Sequence, residues 1–159
     1  MNMILNSFSF VSKKVKIMDH IVYLDFKAKE LEKLKQGDKK MIIRGATGRK
    51  LPYGRVFEKD ILYLVNNNSE GLIKARCTVK SVFNSEKMDK ETSEALVAKN
   101  QEKLQLAPHQ AKRWAGKRYL VLIEIDCFEE LQPFAFDKSN YGNMDDWLPV
   151  EDIESVKAV

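Results

Sequence analysis

The sequence contains only two cysteines and two histidines among its 159 residues. Cys77 and Cys127 lie in strand-like apolar runs without metal-ligand spacing, so we interpret both as buried, unpaired core residues. His20 and His109 lie far apart, and neither has a carboxylate or cysteine neighbour at metal spacing. We therefore expect no metal and no cofactor, and the cysteine usage makes a reducing cytoplasm the default compartment.

Long apolar runs are also absent. No stretch approaches the roughly 20 residues that a membrane-spanning helix needs, so we expect no membrane partner. The apolar beginning of the chain lacks the order of a signal peptide, because its basic residues follow the apolar stretch. Met18 stands just before the first clear strand, so residues 1–17 are predicted to be a disordered or dispensable extension, with Met1 or Met18 as the true start. Residues 18–159 are predicted to form one domain, as a monomer or weak dimer.

Two motifs of common enzyme classes are missing. No glycine-rich phosphate motif connects a strand to a helix, and no nucleophile elbow supports Ser/His/Asp catalysis.

The sequence does concentrate basic charge. Residues 39–59 contain seven basic residues and one acid, a net +6, whereas residues 124–159 contain ten acids and two lysines, a net −8. A concentrated basic patch favours a polyanionic partner, although a solvated basic face would have the same composition.

The hydrophobic pattern predicts an α+β domain. Strands are expected at residues 20–26, 40–44, 60–66, 72–83 and 119–128. A helix over residues 27–36 ends at Gly37, and a helical insertion begins with a helix from Asp89 to residue 104. Pro108 opens a second short helix, which Gly116 stops. Consecutive strands joined by turns favour a mixed or antiparallel barrel-like sheet over a parallel βαβ array.

The run from Gly37 to Arg44 resembles the ASCH family. The family pattern is a glycine, a lysine two residues on and an arginine five further along a short strand, and Gly37, Lys39 and Arg44 match it. The basic loop, Asp60 at the start of a strand and the late apolar strand follow in the family's order, so the resemblance covers roughly residues 22–128. It implies a PUA-like β-pseudo-barrel with a helix after the first strand and a helical insertion before the last long strand. That fold is used mostly to bind RNA, so the resemblance implies RNA or a nucleotide-like ligand as partner.

The basic loop over residues 44–55 is the predicted binding surface. Arginine forks match phosphate oxygens, aromatic rings stack on bases, and glycines let a backbone approach a ligand. The loop's candidate ligand residues are Arg49, Lys50, Tyr53 and Arg55, and the predicted binding site extends back to Lys39. A flexible surface loop is the alternative. Arg44, at the entrance to the loop, either lines a cleft or is a buried arginine paired with Glu124 or Asp126.

Three further aromatic residues belong to the predicted site. Trp114 lies within a second basic cluster, and it either extends the nucleic-acid footprint or packs its helix against the sheet. Tyr141 and Trp147, near polar residues 137–143, either close one wall of a base pocket or tie the C-terminal segment to the barrel.

The resemblance also implies a catalytic alternative. One branch of the family resembles an amidohydrolase that deacetylates N4-acetylcytidine with a lysine, a threonine and a glutamate. Lys39 stands at the lysine position, but the threonine position holds Ile42, which can neither relay a proton nor hold a water. The glutamate would come from the insertion, from Glu91, Glu94 or Glu102. A non-catalytic RNA-binding module is thus the first hypothesis, and an amidohydrolase with Lys39 is the second. A protein-interaction domain, whose acidic C-terminal half meets a basic partner, is the third.

Overall fold

The computed structural model describes residues 16–139, 141 and 146–158. In this part of the chain, strands and helices alternate irregularly along the sequence. They are β1 (Asp19–Leu24), α1 (Glu30–Gln36), β2 (Met41–Ala46), β3 (Ile61–Asn66), β4 (Leu72–Asn84), α2 (Lys90–Lys99), α3 (Gln101–Leu104), α4 (Pro108–Trp114), β5 (Tyr119–Ala135) and β6 (Trp147–Glu151). A 3₁₀ turn, Ile153–Ser155, follows β6.

The strands form one mixed sheet in the order β2-β5-β4-β3-β1-β6. β1 and β3 run parallel, and the other neighbouring pairs are antiparallel. The sheet is curled into a half barrel, with β2 and β6 as its edge strands. The predicted α+β class and barrel-like architecture are therefore confirmed.

The two faces of β2 pack into different parts of the core. Side chains alternate between the faces of a strand, and Ile42 lies in the inner core on the concave side. Met41 and Ile43 point the other way and pack against Leu104 and Trp114 of the helical insertion. The insertion thus covers the outer face of β2 and β5. It also brings α4 close to the open side of the half barrel, which is the gap between the two edge strands, β2 and β6.

The helix boundaries differ from the predicted ones for local reasons. α1 begins at Glu30 because Lys29 adopts a left-handed conformation (φ 56°), while Gly37 ends the helix with φ 84° as predicted. Asp89 caps α2 by accepting a hydrogen bond from the Thr92 backbone N–H at 2.8 Å. The predicted helix to residue 104 is interrupted at Asn100, which separates α2 from α3.

The two cysteines have different environments. Cys77 is buried, as predicted, on the apolar face of β4. The prediction of a buried Cys127 is wrong, because this residue is exposed at an irregularity in β5 and has φ 53°. Arg76 and Thr78 of β4 pair with Glu129 and Asp126 of β5, so β5 has one extra residue between these two pairs. Such a bulge shifts the alternation of the side chains.

The predicted extension over residues 1–17 lies outside the described residues except for Lys16 and Ile17. The Lys16 Nζ is 3.4 Å from Glu151 Oε1. Among the helices that the structure describes, none has the length and apolarity needed to span a bilayer.

Candidate nucleic-acid interface

Arg44 fills the open side of the half barrel, between the edge strand β2 and β1. Its side chain is 8% exposed. Nη1 donates to the Ile43 carbonyl at 2.7 Å, and Nη2 donates to the Tyr23 carbonyl of β1 at 2.6 Å. Nε is buried and has no hydrogen-bond partner in the described part of the chain; it lies 3.5 Å from Oδ1 of Asp146, just before β6. Arg44 therefore bridges β1 and β2, which do not pair with each other, and its Nε–H remains without an acceptor in the described part of the chain.

The pairing of Arg44 with Glu124 or Asp126, considered from the sequence, does not occur in the described structure. Glu124 accepts a hydrogen bond from Lys103 at 3.2 Å, and Asp126 is exposed on β5. Arg44 is therefore buried, as one alternative held, but its carboxylate neighbour is Asp146 and not Glu124 or Asp126.

Two tryptophans enclose the Arg44 guanidinium. Its carbon lies 5.7 Å from the ring centre of Trp147 and 5.9 Å from that of Trp114, both within the range of cation–π attraction. Arg113 lies over the Trp114 ring at 4.3 Å. Trp147 has no exposed surface, so its ring packs against Arg44 and has no free face on which a base could stack.

A buried chain of hydrogen bonds holds Trp147 in place. Its indole Nε1–H donates to His20 Nδ1 at 3.1 Å, and the other ring nitrogen, Nε2, lies 2.9 Å from Asp60 Oδ2. Because Nδ1 accepts from the indole, Nε2 carries the imidazole proton and donates to the carboxylate. Burial lowers the pKa of His20 despite the opposing effect of Asp60, which agrees with a neutral ring.

Lys39 forms a buried ion pair with Glu30 of α1. Its Nζ lies 3.3 Å from Glu30 Oε2 and donates to the Leu104 carbonyl at 2.5 Å. The Lys39 side chain is only 1% exposed, and burial lowers its pKa, with Glu30 acting in the opposite direction. Glu30 Oε1 accepts from the Asp25 backbone N–H at 2.8 Å. The pair thus links α1, the start of β2 and the insertion.

The carboxylate beside Lys39 is not one of those considered from the sequence. The three candidates, which are Glu91, Glu94 and Glu102, are exposed on α2 and α3. Glu30, at the start of α1, was not selected from the sequence. Its position at the first turn of α1, facing the sheet, is the signal that sequence reasoning missed.

Both histidines have a carboxylate partner that is distant in sequence. Half-exposed His109, on α4, has Nε2 at 2.7 Å from Asp25 Oδ2. Burial would raise the pKa of Asp25, but hydrogen bonds from the Ala28 N–H and from His109 lower it. Nowhere among the described residues do three or more His, Cys, Asp or Glu side chains converge in a way that would hold a metal ion.

A small cavity of about 20 Å³ lies where these elements meet. Its lining is highly polar and consists of Tyr23, Asp25, Glu30, Arg44, Asn67, Gln110, Arg113, Trp114 and Asp146. A space of this size holds about one water molecule, so a base or phosphate enters only if the exposed side chains at its mouth move. A larger cavity of about 480 Å³, lined by residues such as Lys40, Lys99 and Lys103, lies on the other side of the α1–β2 turn. Buried polar groups converge on the small cavity, so we regard it as the candidate site despite its size.

The basic loop forms a second cluster of arginine and aromatic side chains. The exposed Arg49 lies over the rings of Tyr53, at 5.8 Å, and Tyr119, at 5.6 Å. The Tyr53 hydroxyl donates to the Ser85 carbonyl at 2.5 Å, which anchors the ring at the edge of the inner core. The other two predicted loop residues, Lys50 and Arg55, are exposed.

Gly45 has a packing role rather than the ligand role expected for the loop glycines. A Cβ at this position would lie 2.6 Å from Leu120 Cδ2 and 3.1 Å from the Tyr119 carbonyl oxygen. A larger residue at position 45 would therefore force the buried Leu120 side chain to move.

The two arginine clusters lie along the same face of β2. Arg44 and Ala46 are two residues apart, so their side chains share a face, and Ala46 pairs with Tyr119 of β5. The structure therefore places Arg44 and the Arg49 cluster along one face of β2, while Trp114 contacts Arg44 from the helical insertion. Tyr119, which belongs to this surface, was not selected from the sequence.

Tyr141 lies apart from this surface. Its hydroxyl donates to the Val150 carbonyl at 3.3 Å, and its ring packs into the separate core formed by β6 and the C-terminal turn. Tyr141 and Trp147 thus do not form a common wall, and the tethering alternative agrees with both positions. Residues 140, 142 and 143, part of the polar stretch considered with them, lie outside the described residues.

Solved structures identify the fold. The crystal structure of ASCH from Zymomonas mobilis matches with a TM-score of 0.62 and 12% identity, over 86% of this chain and 90% of that chain. A single-residue mutant of that protein matches with a TM-score of 0.63, over 88% of this chain and 93% of the other. This chain has the ASCH fold.

The predicted PUA-like pseudo-barrel of the ASCH type is thereby confirmed as a fold. At 12% identity the likeness assigns no activity and no residue role to this chain. No protein-family model matches the sequence, and no curated protein matches it. The function of this ASCH-fold chain must therefore be argued from its own side chains.

Proposed function

We propose that this ASCH-fold chain binds single-stranded RNA or a nucleotide-like ligand on the open side of its half barrel. The observation that carries the proposal is the Arg44 guanidinium, which is buried between Trp114 and Trp147, lines a polar cavity and has an unpartnered Nε. Buried donors are nearly always satisfied in folded proteins, and leaving one unpaired costs about 1–3 kcal/mol. A ligand oxygen in the cavity would satisfy it.

Two further arginines extend the proposed footprint. Arg113 lies over Trp114, and Arg49 lies over Tyr53 and Tyr119. In each cluster the ring is wholly or partly buried and the guanidinium is exposed. Bases of single-stranded RNA stack on guanidinium planes as well as on aromatic rings, so we expect stacking on the arginines themselves.

Binding of a fluorescently labelled single-stranded RNA, measured by anisotropy at several salt concentrations, tests the proposal. We expect Arg113→Ala and the double variant Arg49→Ala/Lys50→Ala to weaken binding. Each lost phosphate contact should reduce the slope of log affinity against log salt by about 0.7. Lys74→Ala is the matched control, because it removes one positive charge from β4, two strands away from β2. Absence of binding by the wild type at low salt would contradict the proposal, and so would equal affinities of the double variant and the control.

A second candidate function is hydrolysis of an acylated nucleoside such as N4-acetylcytidine, with Lys39 as the catalytic lysine. Burial lowers the pKa of Lys39, which favours this candidate because an uncharged lysine can act as a base or nucleophile; the adjacent Glu30 carboxylate opposes that shift. Against it, Lys39 is enclosed and already donates to the Leu104 carbonyl, and Ile42 is fully buried in the inner core.

Release of acetate from N4-acetylcytidine tests this second candidate. The wild type should release acetate, whereas Lys39→Ala and Glu30→Gln should not. Equal rates in the wild type and in folded Lys39→Ala would remove Lys39 from the chemistry.

A further inference from the structure

We propose that Asp146 is an internal substitute for a ligand phosphate, and that RNA binds by exchanging one phosphate for this carboxylate. The inference rests on the proposed RNA-binding function. Asp146 Oδ1 lies 3.5 Å from Arg44 Nε, and its Oδ2 lies 3.9 Å from Arg113 Nη2. One carboxylate therefore faces two arginines at the mouth of the small cavity, each through a different oxygen.

Both contacts are long for charge-assisted hydrogen bonds. Arginine and carboxylate groups that bond well approach to about 2.7–2.9 Å, often in bidentate pairs. At 3.5 Å the carboxylate partly neutralises Arg44, yet Nε still has no hydrogen-bond partner among the described residues. Asp146 thus supplies the charge that this position requires without supplying the hydrogen bond.

The backbone explains why the carboxylate does not come closer. The Asp146 carbonyl accepts from the Tyr23 N–H at 2.9 Å, and the next residue, Trp147, is fully buried. The main chain at Asp146 is therefore held by β1 and by the core. Its side chain is 42% exposed, so it can rotate into solvent without disturbing either contact. A phosphate, free of this tether, can approach both arginines at hydrogen-bond distance.

The other carboxylates of the cavity have partners of their own. Glu30 pairs with Lys39, and Asp25 pairs with His109. Within the described residues, Asp146 is the carboxylate that faces the two cavity arginines. In the ligand-free protein it reduces the penalty of burying Arg44 without an anion, and during binding it competes with the phosphate.

Two substitutions of Asp146 test the proposal in opposite directions, with the labelled single-stranded RNA as the probe. Asp146→Asn removes the competing charge, and we expect it to bind RNA roughly two- to fivefold more tightly at the same salt, the range expected for a partly exposed ion pair. Asp146→Glu adds one methylene, which lets the carboxylate reach Arg44 Nε, so we expect weaker binding. Glu151→Gln is the matched control, because it removes one exposed carboxylate at the far end of β6, where its partner is Lys16.

The results separate this inference from the proposed function. If the wild type binds RNA and Asp146→Asn binds no more tightly than Glu151→Gln, Asp146 is not a phosphate substitute, while the proposed function stands. If Asp146→Asn fails to fold, the glutamate variant decides, since equal or tighter binding by Asp146→Glu also overturns the inference. If neither the wild type nor any variant binds RNA at low salt, both proposals are wrong.

Discussion

The buried pair of Lys39 and Glu30 leads to a stability prediction that can be worked out from the structure. Lys39→Met keeps most of the apolar stem but leaves the Glu30 carboxylate enclosed, with the Asp25 N–H as its remaining donor. Removing one partner of a buried ion pair costs about 3–5 kcal/mol, because the other charge stays buried without compensation. With a urea dependence of about 2 kcal/mol per molar, the unfolding midpoint should fall by roughly 2 M.

The double variant Lys39→Met/Glu30→Gln distinguishes a structural pair from a single important lysine. Once both charges are gone, no ion is buried, and we expect a free energy of unfolding within about 1 kcal/mol of the wild type. Lys40→Met, at the exposed neighbouring position, should change it by less than about 0.5 kcal/mol. The reasoning is refuted if urea unfolding shows Lys39→Met within about 1 kcal/mol of the wild type, or the double variant as unstable as the single one.

Three further predictions concern other sites. Gly45→Ala should destabilise the fold by about 1–3 kcal/mol in denaturant unfolding, because its Cβ would clash with a core leucine at 2.6 Å, whereas Gly48→Ala, with open space around it, should not; equal stabilities would contradict the packing role. Because burial lowers the pKa of His20 below 6.5, the unfolded state binds the proton first, so the free energy of unfolding should fall as pH falls below 6.5 and then level off. A His20→Gln variant should show a flatter pH profile, and an unchanged profile would remove His20 as the cause. In the native protein a thiol reagent should modify exposed Cys127 and spare Cys77, whose pKa burial raises to about 12; modification of both at equal rates would contradict the structure.

Local chemistry explains the features that could be predicted from the sequence. Gly37 ends α1 because a glycine tolerates a left-handed backbone, and Asp89 caps α2 because its carboxylate reaches the Thr92 N–H. Alternation along residues 72–79 indicated which side of β4 is buried. The short run from Gly37 to Arg44 led to the ASCH fold, since its helix end and strand start lie next to each other in the chain.

The partners of the site residues depended on contacts between distant segments. Residue types and spacing were enough to select Arg44, Lys39 and Trp147 as candidates, but they did not indicate which groups contact them. Asp146 lies about one hundred residues after Arg44 in the chain. The two residues meet because β6 pairs with β1, and β1 is the strand to which Arg44 donates a hydrogen bond. A hydrophobic period specifies the buried face of a strand, whereas the curl of the sheet and the order of its strands decide which charges meet. The burial of Arg44, its bridge between two strands and its position beside Asp146 therefore follow from the arrangement of distant segments in the fold.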